Sequence, residues 1–175
     1  MNDLGAIFTT TPTLVTWVLI YIVAQRLGEL VYANRNTKRL LSEGGEEFGA
    51  DHYHWFIFLH SAWLAIIFLL VDPLQQLNPV LLALFVGTQI LRVWTLASIG
   101  RWWTTRIISA PHFDLVKRGP YKLISHPNYL VVVLEIAIVP LLMGLPWVAL
   151  LFTILNAILL RHRIGVENVV LNKRG

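Results

Sequence analysis

The chain has 175 residues, of which 56% are hydrophobic and only 14% are charged, and its formal net charge is +4. Because soluble domains usually carry about 25% charged residues, this composition argues against a soluble globular domain and indicates an integral membrane protein. The absence of cysteine excludes a disulfide framework and a thiolate nucleophile.

The apolar part of the chain divides into long uncharged runs. Residues 4–25, 55–71 and 73–91 contain no charged residue, and the run 127–160 contains only Glu135. The first run lacks a basic leading segment and a small-residue cleavage site, so we interpret it as a spanning helix and not as a signal peptide.

The last of these runs is too long for one span. As a single helix it measures about 51 Å, whereas the hydrocarbon core of a bilayer is about 30 Å thick. Pro140, Gly144 and Pro146 lie in its middle, where they favour a tight hairpin between two helices. We therefore predict an all-α polytopic membrane protein, one domain over residues 1–175, with five spans near residues 13–33, 55–72, 78–98, 128–143 and 146–163.

The distribution of Lys and Arg predicts the orientation. These residues occur in segment 34–54, which is predicted to be a polar loop between two spans, in the connection 99–127 and in the C-terminal tail, whereas residues 1–12, 72–78 and 144–146 contain none. Because Lys and Arg concentrate in cytoplasmic loops, the N-terminus is expected outside and the C-terminus in the cytoplasm of a bacterial plasma (inner) membrane.

Several ionisable residues fall inside the predicted spans, where each costs roughly 2.5–3.5 kcal/mol to insert. Arg26 and Glu29 are spaced to pair along one helix, and His60 is interpreted as a packing histidine. Glu135 has a short side chain that cannot reach the headgroups easily. We expect it to face Arg92, Arg26 or a bound cation, and both a structural ion pair and a catalytic role remain open.

The most polar part of the chain is the connection 99–127, which runs into the stretch "LVKRGPYKLISHPNY". A long connection rich in aromatic residues is expected to fold against the membrane and to be functional. His126 and Tyr129 are three residues apart and share a helix face, as do Arg163 and Glu167 at a spacing of four. The second pair is read either as a surface ion pair or as a site that binds ionic groups.

Three other kinds of site are not supported by the sequence. His52 and His54 have no further run of ligands nearby, so no metal site is predicted. The basic segment "KRGPYK" is better explained by contact with anionic lipid headgroups than with nucleic acid. No glycine-rich nucleotide fingerprint follows a strand.

The ordered motifs resemble the isoprenylcysteine carboxyl methyltransferase family of membrane enzymes. The family pattern has a Leu-Val pair, Gly-x-Tyr, His-Pro-x-Tyr and, later, an Arg four residues before a Glu. In this chain the pattern is matched at Leu115-Val116, Gly119-Pro120-Tyr121, His126-Pro127-Asn128-Tyr129 and Arg163 with Glu167. The resemblance covers roughly residues 78–170.

The resemblance implies S-adenosyl-L-methionine as methyl donor, held at the cytoplasmic face beneath a tunnel open to lipid. The catalytic segments are then residues 99–129 and 161–171, and the catalytic candidates are Arg163, which would hold the substrate oxygen, with His126 and Glu135 as candidate bases. The implied cofactor-binding residues are Leu115, Val116, Tyr121, His126, Pro127, Asn128, Tyr129 and Glu167.

The chain also departs from the family pattern. Ser125 stands where an Arg usually precedes His-Pro, Val131 replaces a Gly, and Asn168 replaces the second acid. The lipophilic substrate is therefore either an isoprenylcysteine-type carboxylate or, as for some small bacterial members, a hydroxyl group of a long-chain alkylpyrone or alkylresorcinol. Two alternatives from other classes are an NADPH-dependent membrane reductase similar to sterol reductases and a non-enzymatic small transporter.

Overall fold

A computed structural model describes residues 13–172 as five α-helices and one small sheet. The predicted features of residues 1–12 and of the basic tail from Lys173 lie outside this range. The helices are α1 Leu14–Ser42, α2 Ala50–Leu70, α3 Pro79–Ile99, α4 Pro127–Leu142 and α5 Pro146–Asn172, and the strands are β1 Glu46–Phe48 and β2 Ile107–Ser109.

The helices form a bundle with an apolar exterior, as expected of a protein whose solvent is lipid. Large apolar side chains such as Phe68, Leu69 and Ile90 are largely exposed on its outer surface. Within residues 13–172, α1, α2, α3 (with the turn that follows it) and α5 are long and apolar enough to cross a membrane. These features support a helical integral membrane protein.

The remaining helix, α4, lies where the fourth span was predicted but is shorter than the others. Its 16 residues extend about 24 Å, less than the roughly 30 Å of a hydrocarbon core. The hairpin into α5 is nevertheless as tight as predicted. Gly144 has a φ of +73°, Pro146 opens α5, and the two helices pack against each other. Pro140, by contrast, lies inside α4 and does not end it.

The main core lies between the helices, at the end of the bundle away from the polar connections. Trp63 and Ile67 of α2 and Ile136 of α4 are completely buried there, and Phe85 of α3 and Phe152 of α5 complete the contact surface. Pairwise packing joins α4 to both α3 and α5, and α2 to α5. The hairpin of α4 and α5 is therefore the centre of the bundle.

The connection 34–54 is not the simple polar loop that was predicted. The first helix continues to Ser42, and Asn36 in this extension donates a hydrogen bond to the carbonyl of Trp103 at 2.8 Å. β1 then pairs antiparallel with β2, so that Glu47 lies opposite Ile108. The all-α prediction missed this short sheet, which joins the two polar connections on one side of the bundle.

A cluster of four charged side chains connects three helices. Arg92 of α3 donates from Nε to Glu135 Oε1 of α4 at 2.8 Å and from Nη1 to both oxygens of Glu29 on α1, at 2.7 and 2.8 Å. Arg26 of α1 binds both Glu29 and Glu135. Gln89 donates a further hydrogen bond to Glu135 at 2.8 Å. We call Arg26, Glu29, Arg92 and Glu135 the ion cluster.

The ion cluster has two cations and two anions, so its formal charge is zero. Glu135 faces both arginines that the sequence offered as partners, and its side chain is 3% exposed. Removing one member of a buried ion pair leaves an uncompensated charge and costs about 3–5 kcal/mol. These contacts give Glu135 a structural function, whereas its predicted catalytic role stays a prediction.

Glu135→Gln is expected to lower the free energy of unfolding by roughly 3–5 kcal/mol, because both guanidinium groups then share a neutral acceptor. The thermal midpoint in detergent should fall accordingly. Glu46→Gln is the matched control, because Glu46 is exposed on β1. A Glu135→Gln protein with an unchanged midpoint but no activity would show that Glu135 acts in catalysis.

Candidate functional site

A cavity of about 340 Å³ lies beside the ion cluster. Its walls come from all five helices and from the segment between α3 and β2. One part of the lining is apolar and aromatic and includes Phe56, Trp102 and Trp103, and the other part is polar and includes Tyr129 and Arg163. The cavity therefore offers room for a molecule with both an ionic and a hydrophobic portion.

The polar end of the cavity is organised around the hydroxyl of Tyr129, in the first turn of α4. This hydroxyl donates to Glu167 Oε2 at 2.5 Å and accepts from Arg163 Nε at 2.9 Å, and both partners lie on α5. Arg163 also donates from Nη2 to the carbonyl of Thr105 at 2.8 Å. Arg163 and Glu167 are thus connected through Tyr129 and do not form the simple surface pair that was one reading of their spacing.

His126 completes this polar group from the residue before α4. Its ring stacks on that of Tyr129 with centroids 5.3 Å apart, which confirms that the two side chains share a face. Nε2 lies 3.1 Å from Asn168 Oδ1. Because an amide oxygen only accepts, Nε2 carries the hydrogen and donates it. Nδ1 then faces Glu167 Oε2 at 3.5 Å.

The segment after α3 forms one wall of the cavity and is held by several contacts. Trp103 stacks on Tyr32 of α1 at 5.8 Å, and Thr105 shares a hydrogen bond of 2.8 Å with the hydroxyl of Tyr53 on α2. Arg106 pairs with Glu47 of β1 at 2.8 Å. These contacts position the Thr105 carbonyl that Arg163 binds.

The Gly-Pro-Tyr motif forms a 3₁₀ turn, Gly119–Lys122, that packs against α3. Gly119 has a φ of +55°, and a Cβ atom there would lie 2.0 Å from Ser98 Oγ. Only glycine therefore fits this close approach. The turn directs Tyr121 into the cavity. Burial raises the pKa of the Tyr121 phenol, and the negative charge of Glu167 raises it further.

The structure brings most of the predicted site residues together. Those that line the cavity are Tyr121, His126, Asn128, Tyr129, Arg163 and Glu167. Asn128 also accepts a hydrogen bond from Trp103 Nε1 at 3.4 Å.

Four predicted residues are absent from the cavity lining formed by residues 13–172. Leu115 is 47% exposed and Val116 is half-buried, both in the connection before α4. Pro127 is buried as the first residue of α4, and Glu135 belongs to the ion cluster.

Sequence reasoning missed the contribution of α2 to the site. Tyr53, Phe56, Ile57 and His60 all line the cavity, and the Arg163 guanidinium lies 5.2 Å from the centre of the Phe56 ring. Their spacing of three or four residues is a signal for one helix face. The face is aromatic and apolar, and such a pattern also fits an ordinary lipid-facing helix.

The donor set of the cavity matches a ligand that carries both charge signs. Glu167 Oε1 accepts no hydrogen bond from the part of the chain that the structure describes, so it is available to an ammonium or sulfonium group. Arg163 and His126 offer donors for an anionic group. Among residues 13–172, no cluster of three or more His, Cys, Asp or Glu side chains is arranged to hold a metal ion. The residues present therefore fit S-adenosylmethionine, which the sequence resemblance implies.

Comparison with known proteins identifies a matching family and a relative of this chain. Residues 81–173 match the isoprenylcysteine carboxyl methyltransferase (ICMT) family. The chain is 38% identical over 162 residues to a protein of Bacillus subtilis (strain 168) described as "Uncharacterized protein YpbQ", and the alignment covers 90% of this chain and 96% of the relative. No solved structure matches the chain.

The folded-state pKa of the Tyr121 phenol is raised above the usual tyrosine value of about 10. The phenol is therefore expected to stay protonated well above pH 10. An alkaline titration followed by tyrosinate absorbance should therefore be the same for the folded wild-type protein and for Tyr121→Phe up to about pH 10. A difference between the two curves below that pH would place Tyr121 in water instead of in the cavity.

Proposed function

Because the chain belongs to the isoprenylcysteine carboxyl methyltransferase family, a family of membrane methyltransferases, we propose that it is an S-adenosylmethionine-dependent O-methyltransferase. It acts on a lipophilic substrate at the cytoplasmic face of the membrane. One observation supports this proposal above the others: Tyr129 links Arg163 and Glu167 at the polar end of a cavity whose other part is lined by apolar and aromatic side chains.

The cofactor end of the cavity is assigned to the polar group around Tyr129. S-adenosylmethionine supplies a methyl group on a positively charged sulfur, together with an ammonium and a carboxylate. Glu167 binds positive charge, and His126 donates to an anionic oxygen once Asn168 releases it. Tyr121 and Asn128 provide the nearby walls. Leu115, Val116 and Pro127 contribute by shaping the connection that carries these side chains.

The substrate end is assigned to Arg163 and the apolar wall beyond it. Leu30 and Ile57 line the cavity, yet they are 44% and 51% exposed on the lipid-facing surface. A hydrocarbon chain can therefore pass from the bilayer to the cavity without crossing water. Arg163 holds the acceptor oxygen, and positioning of that oxygen in line with the methyl group supplies much of the rate.

The two candidate acceptor groups make different demands on the protein. A carboxylate of the isoprenylcysteine type is already an anion and needs only a cationic partner. A hydroxyl of an alkylpyrone or alkylresorcinol has a pKa near 10 if it is phenolic, and so it needs a base. His126 and Glu135 are the bases that the sequence offers. Both are engaged in the structure, His126 with Asn168 and Glu135 with two arginines.

The membrane orientation fits this assignment. Arg101, Arg106 and Lys122 lie on the side of the bundle that carries the sheet and the polar end of the cavity. Under the positive-inside rule this side faces the cytoplasm, where S-adenosylmethionine is made. We therefore assign the N-terminus to the outside, the C-terminus to the cytoplasm, and the protein to the bacterial plasma (inner) membrane, with membrane lipid as its surroundings and no nucleic-acid partner.

Detergent-purified protein is expected to bind S-adenosylhomocysteine in calorimetric titration and to give no heat with NADPH. Glu167→Gln and His126→Ala should each weaken this binding by at least about 10-fold, because each removes a charge-assisted contact worth about 1.5–3 kcal/mol. Glu46→Gln should bind as the wild type does. Binding of NADPH alone would indicate the reductase, and binding of neither ligand would indicate a transporter.

Arg163→Lys should lose turnover by about 100-fold, because lysine keeps the positive charge but not the planar guanidinium group that holds the acceptor oxygen. Its affinity for S-adenosylhomocysteine should stay within about threefold of the wild type. Arg161→Ala, two residues away and exposed, is the matched control and should be fully active. Methyl transfer to an extract of cell lipids measures turnover. Parallel loss of binding and turnover in Arg163→Lys would contradict the division between cofactor and substrate residues.

A further inference from the structure

Within residues 13–172, two histidine rings line the cavity, His126 and His60. His126 belongs to the polar group around Tyr129, whereas His60 lies on α2. Its Nδ1 lies 2.8 Å from the carbonyl oxygen of Phe56. Because a carbonyl oxygen can only accept, Nδ1 carries the hydrogen, and Nε2 of the neutral ring is an acceptor. No hydrogen-bond partner of Nε2 is found among residues 13–172.

His60 and Arg163 lie near the same aromatic ring, that of Phe56. Phe56 lies one helical turn before His60, and the two rings are stacked with centroids 6.5 Å apart. The Arg163 guanidinium lies 5.2 Å from the centre of the same Phe56 ring. A substrate oxygen beside Phe56 therefore has Arg163 toward the cytoplasm and His60 toward the membrane interior.

The charged groups around His60 are paired with one another in the ion cluster. The ionisable groups within electrostatic reach are Arg26, Arg92 and Glu135, all members of the ion cluster. Each of these arginines is matched by a carboxylate within the cluster. The cation that faces the acceptor oxygen is therefore Arg163, and His60 Nε2 is an acceptor nitrogen for a group that brings its own hydrogen.

We propose that His60 is the general base of the reaction when the acceptor is a hydroxyl, either a phenol or an enol, on a long-chain lipid. This inference rests on the proposed methyltransferase function. The substrate oxygen forms a C–O bond with the methyl group of the sulfonium donor, and the C–S bond breaks with its electron pair staying on sulfur. The hydroxyl proton passes to His60 Nε2, which later releases it to water.

The first test compares acceptors of increasing acidity. With pentadecylresorcinol, His60→Gln should lose at least about 100-fold in kcat, within the 10²–10⁴ range of general base catalysis, and should bind S-adenosylhomocysteine as the wild type does. Ring-fluorinated acceptors, which ionise more readily, should recover most of this loss. A loss that is the same for every acceptor would overturn the proposal, because it would indicate a packing role only.

Controls separate this inference from the methyltransferase assignment. His54 lies on the exposed side of the same helix, outside the cavity lining. The control variant His54→Gln should therefore have full activity. Methylation of N-acetyl-farnesylcysteine, a carboxylate that needs no base, but not of pentadecylresorcinol by the wild-type protein would overturn the role of His60 and keep the methyltransferase function. Failure of the wild-type protein to bind S-adenosylhomocysteine would overturn both.

A second readout does not depend on turnover. In protein labelled with ¹⁵N-histidine, the His60 resonances are identified by their loss in His60→Gln. Addition of pentadecylresorcinol should shift the Nε2 resonance of His60, and addition of its dimethyl ether, which has no hydrogen to donate, should not. Equal shifts with both compounds, or none with either, would contradict a hydrogen bond to Nε2.

Discussion

The hydroxyl of Tyr129 binds Arg163 and Glu167 at once and so joins the first turn of α4 to the last turns of α5. The two helices are held at their other end by the hairpin around Gly144. Tyr129 therefore closes the end of the hairpin that faces the polar connections. The same contact sets the two charged side chains at a fixed separation, on either side of one hydroxyl. Helix packing and site geometry thus depend on one interaction.

The charged residues in the bundle divide into two groups with different properties. In the ion cluster, Arg92 and Glu135 are almost completely buried and their hydrogen-bonding atoms are engaged by protein. At the polar end of the cavity, Glu167 is 26% exposed and has an oxygen without a partner among residues 13–172. The first group has the pairing that stabilises a fold in lipid. The second group has a carboxylate oxygen that can accept a hydrogen bond from a ligand, and we assign the cofactor to it.

Two pairings could be predicted from the sequence, one from helix geometry and one from the cost of a buried charge. His126 and Tyr129 stack as their spacing implied, and Glu135 meets Arg92 and Arg26 because a carboxylate buried in apolar surroundings requires a cation. The position of α2 in the site was not predictable in this way. Contacts between Phe56 and Arg163 join residues more than one hundred positions apart, and local periodicity contains no information on such pairs.

The limits of composition as a signal are visible in two elements. Residues 34–42 have the polar composition that is typical of a loop, yet Ala33, Thr37 and Leu40 recur at helical spacing and are buried. They pack against the segment after α3, so tertiary contacts extend the helix. The pairing of β1 with β2 has the same origin. Three-residue strands have too few residues for an alternating pattern to be recognised, and their pairing depends on how the two connections meet.

Ultraviolet photolabelling of the purified protein with S-adenosyl-L-[methyl-³H]methionine, followed by peptide mapping, tests most directly whether the polar group around Tyr129 holds the methyl donor. We expect the label in segments 121–129 and 163–171, which line the cavity, and we expect excess S-adenosylhomocysteine to prevent it. Label that appears only in other segments, or that S-adenosylhomocysteine does not displace, would contradict the assignment of the cofactor to this site.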